Sequence, residues 1–346
     1  MTLDPRSLST RQINRAVLAR QHLLERSQLP IRNVVEGMAG IQAQYAPSMY
    51  ISLWSRMAGF QRHHLTTALE EKEVVQGTLM RATIHLVSAA DYWPLAIAIR
   101  RSRRDWWLRV QPSKPDPGAM EAAAGQVAEF LAEGPRHRRE IEQLVGKETA
   151  RGVGMFIDLL RVPPLGTWER RRADLYADAA QWLGPPPELN EAAALDYLVR
   201  RYLEGFGPAQ PADIALWAGV NIADVTPSLD RLELRHFSTE DGLLLVDLPN
   251  APIPGNVAAP IRFIPTWDAI LLIHARRAAI LPEEYRPRIF STKIPQSVPT
   301  FLVDGSIAGV WRESEGRIKL EPFHPLPSRV ARHLETEAKA LEGLFV

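Results

Sequence analysis

Two glutamines separated by one small residue, Gln42 and Gln44, raise the question of whether their two amides act together in a site. On an α-helix, residues two apart point about 200° away from each other, so the two amides would not share a face. In an extended or turning backbone both can point the same way and hold a water molecule or a base edge. Alternatively, both are solvated surface residues. A reactive centre requires that the chain leave helical geometry near Ala43, helped by Pro47, and direct both amides into one groove.

Other common kinds of reactive site are missing from the sequence. The chain has no cysteine, which excludes disulfides, a thiol nucleophile and cysteine-bound metal. The nine histidines never form a His-x-x-x-His pair, and the GVG at 152–154 lacks the lysine and strand of a phosphate loop. We therefore expect no metal and no organic cofactor, and any catalysis must come from dispersed polar side chains.

Length and composition indicate a multidomain soluble protein. A chain of 346 residues is too long for one ordinary core, and its composition is 46% hydrophobic and 23% charged. The first twenty residues contain no apolar run of signal-peptide length, and no segment approaches the roughly 20 apolar residues of a membrane span. We expect a cytoplasmic monomer without a membrane partner.

The charge is distributed unevenly along the chain. The net charge of +1 argues mildly against a nucleic-acid partner, but 35 of the 41 basic residues are arginine, which binds phosphate in a fork. Residues 100–114 hold six basic side chains against one acid, whereas 188–250 hold eleven acids against four arginines. The basic run is either a phosphate-binding surface or a solvated helix face. Its two tryptophans, Trp106 and Trp107, fit core or domain packing better than base stacking.

An internal repeat is the most informative feature of the organisation. Residues 134–146 (GPRHRREIEQLVG) and 207–219 (GPAQPADIALWAG) align without a gap at an offset of 73. Each reads Gly-Pro, four residues, an acid, Ile, four residues and a closing Gly, which predicts a turn, a short helix and a glycine cap. A second helical segment and a pair of strand-like runs follow both copies. This order is that of a winged helix.

The rest of the chain divides around these two copies. A more diverged third copy is expected in the N-terminal 110 residues, and 300–323 predicts short strands with turns at Asp304-Gly305 and Glu315-Gly316 before an amphipathic terminal helix. The fold class is therefore α+β, mainly helical, with tandem winged helices and a β-rich C-terminal region. The predicted domains are 1–115 (first winged helix with the glutamines), 116–187 (second), 188–255 (third) and 256–346 (β-rich region).

Several of these segments resemble, in order, the winged-helix DNA glycosylases typified by AlkZ and YcaQ. The matching segments are GIQAQ with YISLWSR, GTLMRATIHLV, FGPAQPADIALWAG and PTWDAILLIHARRAAILPEEYRPRIF, and the resemblance covers roughly residues 10–340. It implies a C-shaped arrangement around duplex DNA and a catalytic Gln, apolar residue, then Gln or Asp, here Gln42, Ala43 and Gln44. The second glutamine resembles the AlkZ branch, which is associated with self-resistance to DNA-alkylating natural products.

Other residues become candidates for binding substrate or DNA. Arg81, Thr83 and His85 alternate, so on a strand they would face one side, although a buried structural hydrogen bond explains His85 nearly as well. Asp268 is either at the edge of the site or an N-cap for the helix that follows. The remaining candidates are pocket, phosphate or groove contacts: Tyr45, Arg170, Arg171, Arg172, Trp267, Arg276, Arg277 and Arg312.

The resemblance implies excision of N7-alkylated purines from double-stranded DNA, with unhooking of interstrand crosslinks by some members. N7 alkylation places a positive charge on guanine and makes it a good leaving group, so a strong general acid is unnecessary. The leading hypothesis is a monofunctional DNA glycosylase in which Gln42 and Gln44 position the water. The alternatives are a non-catalytic winged-helix DNA binder or regulator, and a degenerate member that binds a small genotoxin directly.

Overall fold

The computed structural model describes residues 6–112, 115–272, 279–290 and 297–346. Three segments of the chain, here called the first, second and third copies, share one order of elements: helix, short strand, two helices, and a pair of antiparallel strands. The first copy comprises α2 (Ile31–Gly37), β2 (Ile41–Gln42), α3 (Ala46–Arg56), α4 (Arg62–Glu70), β3 (Val74–Thr78) and β4 (Ile84–Ser88). The last part of this order, two helices followed by a pair of strands, is what the repeat predicts, and the N-terminal segment shares it.

The second and third copies repeat this order. The second comprises α6 (Pro117–Leu131), β5 (Arg136–His137), α7 (Arg138–Val145), α8 (Lys147–Gly152), β6 (Leu159–Arg161) and β7 (Leu175–Asp178). The third comprises α10 (Glu191–Phe206), α11 (Pro211–Ala218), α12 (Ile222–Arg231), β8 (Arg235–Thr239) and β9 (Leu244–Asp247), and its first strand is reduced to a bridge between Ala209 and Val246.

The first and second copies share one sheet. Its strand order is β2-β4-β3-β6-β7-β5, so in each copy the first short strand lies at the outer edge, and antiparallel pairing of β3 with β6 joins the two halves. A further connection comes from the loop between β6 and β7. Trp168 of this loop is 5% exposed and packs in the core of the first copy, with its ring edge-on to Tyr50. The second copy is therefore anchored directly to the element that holds the glutamines.

The remaining elements link or cover the three copies. The long helix α5 (Ala89–Val110) follows the first copy and packs mainly against α10 of the third. The four-stranded C-terminal sheet contributes Phe263, Phe301 and Trp311 to the same core cluster as α3. The strands of this sheet are, in spatial order, β10 (Arg262–Ile264), β11 (Thr300–Val303), β12 (Ser306–Ser314) and β13 (Arg317–Pro322). The other elements outside the three copies are β1 (Arg6–Leu8), α1 (Thr10–Arg20), α9 (Ala179–Leu183), α13 (Ala269–Leu272), α14 (Arg286–Ile289) and α15 (Ser328–Glu342).

The C-terminal predictions are confirmed in detail. The two turns at Asp304-Gly305 and Glu315-Gly316 join β11 to β12 and β12 to β13, and all four residues adopt positive φ. The amphipathic terminal helix is α15, which buries Leu334, Ala338 and Leu341. The residues at these two turns therefore determine how β11, β12 and β13 are connected, as the sequence indicates.

Candidate active site

The glutamine motif lies in the connection between strand β2 and helix α3. The preceding helix α2 ends at Gly37, β2 pairs with β4, and Tyr45 is the extended N-cap residue of α3. The extended geometry around Ala43 agrees with the prediction. The proposed role of Pro47 is wrong, because this proline lies in the first turn of α3, where its fixed φ favours helix initiation rather than termination.

Both glutamine side chains are held through their amide oxygens at the start of β4. Gln42 is 4% exposed, and its Oε1 accepts a hydrogen bond from Arg81 Nη2 at 2.8 Å. Gln44 is exposed, and its Oε1 accepts from the backbone N–H of Ile84 at 2.9 Å. Between them, Ala43 N donates to the Ile84 carbonyl at 2.7 Å. Since an amide oxygen has two lone pairs, each glutamine keeps one for a further partner.

Arg81 lies in a short 3₁₀ turn (Met80–Ala82) and not on the strand that the alternating pattern predicts. Both Arg81 and Ala82 adopt the left-handed conformation, at φ 53° and 54°, which is strained for residues other than glycine. The turn directs the guanidinium towards Gln42 on one side and the backbone carbonyl of Trp217, in the third copy, on the other. Contact with a residue 136 positions away in the sequence is the part of this site that local spacing could not reveal.

Arg81 carries an uncompensated positive charge. No carboxylate of the described residues forms an ion pair with it, and burial lowers the pKa of its guanidinium to about 10, so it remains charged at neutral pH. An arginine that is partly buried without an acidic partner is unusual, because removal of a charge from water is costly. Such a group is suited to an anionic ligand or to polarising its neighbours.

His85 lies opposite Gln42 in the β2–β4 pair and is 2% exposed. Burial, followed by the charge of Arg81, lowers the pKa of the His85 imidazole to about 3. Its Nδ1 lies 3.1 Å from the Thr83 carbonyl oxygen, and the Thr83 hydroxyl donates to the Met80 carbonyl at 3.0 Å. His85 is therefore neutral at physiological pH and cannot supply a general acid.

The second copy brings one arginine to the motif. The Tyr45 side chain is 40% exposed, and its hydroxyl accepts from Arg171 Nη1 at 3.0 Å. Gln76 Nε2 donates to the Gly166 carbonyl at 2.9 Å and anchors the loop that carries this arginine. Of its neighbours, Arg170 is exposed, and Arg172 forms an ion pair with Asp174. The loop thus brings Arg171 to Tyr45, the residue after Gln44, and all three arginines are exposed to solvent.

Asp268 and Trp267 are engaged away from the glutamines. Asp268 is 4% exposed, forms an ion pair with Arg56 at 2.9 Å, and accepts from the Ile270 backbone N–H at 3.2 Å. The contact with the Ile270 N–H is the one expected if Asp268 caps the helix that follows it. The ion pair joins Arg56, the last residue of α3, to the C-terminal region. Trp267 N donates to Ser297 Oγ at 3.0 Å, with φ at 65°.

Three further arginines were candidates for groove or phosphate contacts. Arg312 is a strand residue of β12, 75% exposed and paired with Glu321 on β13. It therefore lies within the strand rather than at the turn between the two strands. Arg276 and Arg277 lie outside the described residues.

The basic run 100–114 is mostly neutralised within the protein. Arg100 and Arg103 pair with Asp158, Arg101 pairs with Glu191 and Asp224, and Arg104 pairs with Glu121. These ion pairs connect α5 to the second and third copies. Of the two tryptophans, Trp107 packs edge-on to Phe156, whereas Trp106 is 41% exposed. The run therefore joins the copies, and charge counting alone could not separate this role from phosphate binding.

Two absences hold for the described part of the chain. No group of three or more acidic or histidine side chains is arranged to hold a metal ion. No helix is both long enough and apolar enough to cross a membrane.

Comparisons with known proteins give a consistent result. The family described as DNA glycosylase AlkZ-like matches residues 35–344. An interstrand DNA cross-link repair glycosylase from Streptomyces sahachiroi is 23% identical over 370 residues, which cover 95% of each chain. The solved structure of the Streptomyces sahachiroi DNA glycosylase AlkZ has a TM-score of 0.81 at 18% identity and covers 98% of both chains. The same fold thus extends over nearly the whole chain.

Proposed function

We propose that this chain, which belongs to the AlkZ-like family of DNA glycosylases, hydrolyses the N-glycosidic bond of N7-alkylguanine in double-stranded DNA. The reaction uses one water, whose oxygen bonds to the anomeric carbon as the bond to N9 breaks; the neutral alkylated base leaves, a proton passes to solvent, and an abasic site remains. Neither a metal nor an organic cofactor is required, because the leaving group already carries a positive charge. Bulky natural-product adducts are the preferred substrates in this proposal.

The absence of an acid in contact with the glutamines supports this choice of leaving group. His85 is neutral, and no carboxylate of the described residues hydrogen-bonds to Gln42 or Gln44. A site without a general acid is poorly suited to excising an unmodified purine, because a neutral base leaves slowly unless it is protonated. N7 alkylation removes this requirement, so the chemistry of the substrate and of the site agree.

The arrangement of the two amide oxygens is the observation that carries the proposal. Arg81 and the Ile84 N–H each occupy one lone pair of Gln42 and Gln44, respectively, and the remaining lone pairs can accept both hydrogens of one water. A glutamine is too weak a base to deprotonate water. Its contribution is to hold the water oxygen towards the anomeric carbon and to stabilise the cationic sugar through the amide dipole.

Arg81 has two tasks in this proposal. Its hydrogen bond fixes the orientation of the Gln42 amide, and the donors that remain on its guanidinium can bind a DNA phosphate beside the lesion. Arg171 and the exposed Arg170 extend this positive surface at the edge of the motif. Contact with the phosphates positions the duplex and carries no sequence information.

Crosslink unhooking is the second part of the proposal. A relative is described as an interstrand DNA cross-link repair glycosylase, and a crosslinked base cannot leave the duplex freely. Gln44 and Tyr45 are exposed, which supports attack on a lesion that stays in the helix rather than a flipped base in a closed pocket. The reaction is monofunctional, since no lysine of the described residues contacts the glutamines.

The proposal is tested by incubating the purified protein with duplexes that contain one N7-methylguanine or one interstrand N7-guanine crosslink. We expect alkali-labile abasic sites at the modified guanine and separation of the crosslinked strands, with no change in undamaged DNA. No excision from either duplex would contradict the proposal. Sequence-specific binding to undamaged DNA in its place would favour a regulator.

A further inference from the structure

A cleft of about 250 Å³ lies beside Arg81, where the first and third copies meet helix α5. The turn between β3 and β4 forms one wall, α5 forms the second, and α11 with the residues after it forms the third. Its lining is mostly apolar and includes Arg81, Arg103, Trp106 and Leu216. Neither Gln42 nor Gln44 lines this cleft. Arg81 therefore connects the two places, since it lines the cleft and donates a hydrogen bond to Gln42.

Large apolar side chains remain exposed at this cleft. Trp106 is 41% exposed and Leu216 is 54% exposed, although the neighbouring residues Trp107 and Trp217 are almost completely buried. Concave apolar surfaces with a few polar groups are typical of sites for small organic groups. The flat indole of Trp106 favours a planar partner, against which it can stack.

Charge restricts the chemistry of the occupant. Arg103 is neutralised by Asp158 at 3.1 Å and donates to the Thr78 carbonyl at 2.6 Å, whereas Arg81 has no acidic partner among the described residues. The cleft therefore presents one positive charge on an otherwise apolar surface. The charge disfavours a cationic group, and the apolar walls disfavour an anion that keeps its hydration shell, so the cleft favours a planar group that offers Arg81 a hydrogen-bond acceptor.

We propose that this cleft binds the planar apolar substituent of the DNA adduct while the alkylated guanine lies at Gln42 and Gln44. The inference rests on the proposed glycosylase function and adds a subsite to it. The Arg81 side chain reaches both places, since it lines the cleft and donates to Gln42. Occupation of the cleft would thus hold the lesion in register with the water and would distinguish a bulky adduct from a methyl group.

The test compares single-turnover excision of N7-methylguanine and N7-benzylguanine from otherwise identical duplexes. Leu216→Trp fills the cleft at an exposed position, and we expect it to slow benzylguanine excision by about tenfold or more while methylguanine excision changes by less than about twofold. Trp106→Ala should act in the same direction through loss of stacking. Leu244→Trp, at a 63% exposed leucine outside the cleft, is the matched control and should affect neither substrate.

The outcomes separate the subsite from the function. If the wild-type protein excises neither base, the glycosylase proposal fails and the subsite fails with it. If the wild type excises both bases but the two cleft variants slow both equally, or neither, the subsite is overturned and the glycosylase function stands. Excision of methylguanine alone by the wild type would also overturn it, because the cleft then accepts no bulky group.

Discussion

The three strand-to-helix connections differ in a way that separates stability from function. In the second copy β5 runs directly into α7, and Glu140 accepts from the His137 backbone N–H at 2.8 Å. In the third copy Asp213 accepts from the Gln210 N–H at 3.0 Å in the same way. These carboxylates stand at equivalent positions of the repeat and close the first turn of the helix, a contact that stabilises a helix by about 1 kcal/mol.

The first copy has a different connection. Residues 43–45 separate β2 from α3, and no side chain caps the first turn of α3. The position of the capping acid is occupied by Ser48, whose buried hydroxyl has no hydrogen-bond partner in the described part of the chain. The strand-to-helix connection is therefore capped by a carboxylate in the second and third copies. In the first copy the helix α3 has no such cap, and Gln42 and Gln44 precede it. Local stability has been reduced where the chemistry is proposed.

The largest expected effect on excision comes from the glutamines themselves. Gln42→Ala and Gln44→Ala should each slow single-turnover excision of N7-methylguanine by about 100-fold, the loss typical of a preorganised polar contact. DNA affinity should change little. The matched control is Gln210→Ala, at the connection of the third copy, and loss of activity there would remove the distinction between the copies.

Arg81→Lys should have the next largest effect. A lysine keeps the charge but has a single donor nitrogen, so it does not reproduce the geometry in which Nη2 donates to Gln42 Oε1 and Nη1 to the Trp217 carbonyl. We expect excision to fall by about tenfold as the Gln42 amide loses its fixed orientation. Arg172→Lys, at an 86% exposed residue, is the control. Equal rates for the two variants would show that the guanidinium fork is unimportant.

The closing glycines of the repeat sharpen the comparison between the second and third copies. Gly219 has φ of 76°, and a Cβ there would lie 2.9 Å from both the backbone N and Cα of Arg81. Gly146 has φ of 83° with no atom near its Cβ position. Alanine at either position should destabilise the fold by about 1–2 kcal/mol. Only Gly219→Ala should also slow excision, by about fivefold, because it displaces Arg81.

The difference in excision rate between Gly219→Ala and Gly146→Ala is measured below the unfolding temperature of both variants. Thermal unfolding monitored by circular dichroism gives the stability change, and single-turnover kinetics give the rate. Comparable rate losses in Gly146→Ala and Gly219→Ala would mean that general destabilisation, and not the contact with Arg81, is responsible.

The smallest effect on excision, and a clear one on stability, concerns His85. The pKa of His85 is about 3 in the folded protein, below the ordinary value of 6.5. As the pH falls below 6.5, His85 is therefore protonated in the unfolded chain but stays neutral in the folded protein. Stability from this group is complete above pH 6.5 and declines towards pH 3, by about 2 kcal/mol at pH 5. The excision rate should show no titration of His85 between pH 5 and 8.

His85→Asn checks the sign of this effect. Asparagine does not titrate, so the loss of unfolding free energy between pH 7.5 and pH 5 should be smaller than in the wild type by about 2 kcal/mol. Urea unfolding at the two pH values measures it. An equal or larger loss in the variant would mean that His85 is not buried in its neutral form.

The local parts of the structure were predictable from the sequence, and the long-range contacts were not. The offset of 73 between two Gly-Pro segments predicted the second and third copies, and turn residues predicted the C-terminal strands. No local pattern indicates that Arg81 adopts a left-handed turn and reaches the Trp217 carbonyl. An alternating pattern predicts a strand, and here packing against Gly219 of the third copy overrides it.

Two other predictions depended on contacts between distant segments. Counting charges left the basic run 100–114 as either a phosphate-binding surface or a solvated helix face, whereas acids supplied by the second and third copies neutralise most of it. Arg171 and Tyr45 were separate candidates for the site, and only the burial of Trp168 in the first copy brings the two side chains together. The domain boundaries and the catalytic roles of individual residues remain predictions.

The central claim is that Gln42 and Gln44 hold the same water, and a double-mutant cycle tests it most directly. Single-turnover excision of N7-methylguanine is measured for both single variants and for Gln42→Ala/Gln44→Ala at saturating protein. Because two groups that act as a unit are strongly non-additive, the double variant should be within about threefold of the slower single variant. Losses that multiply, or a double variant as fast as the wild type, would contradict a shared water.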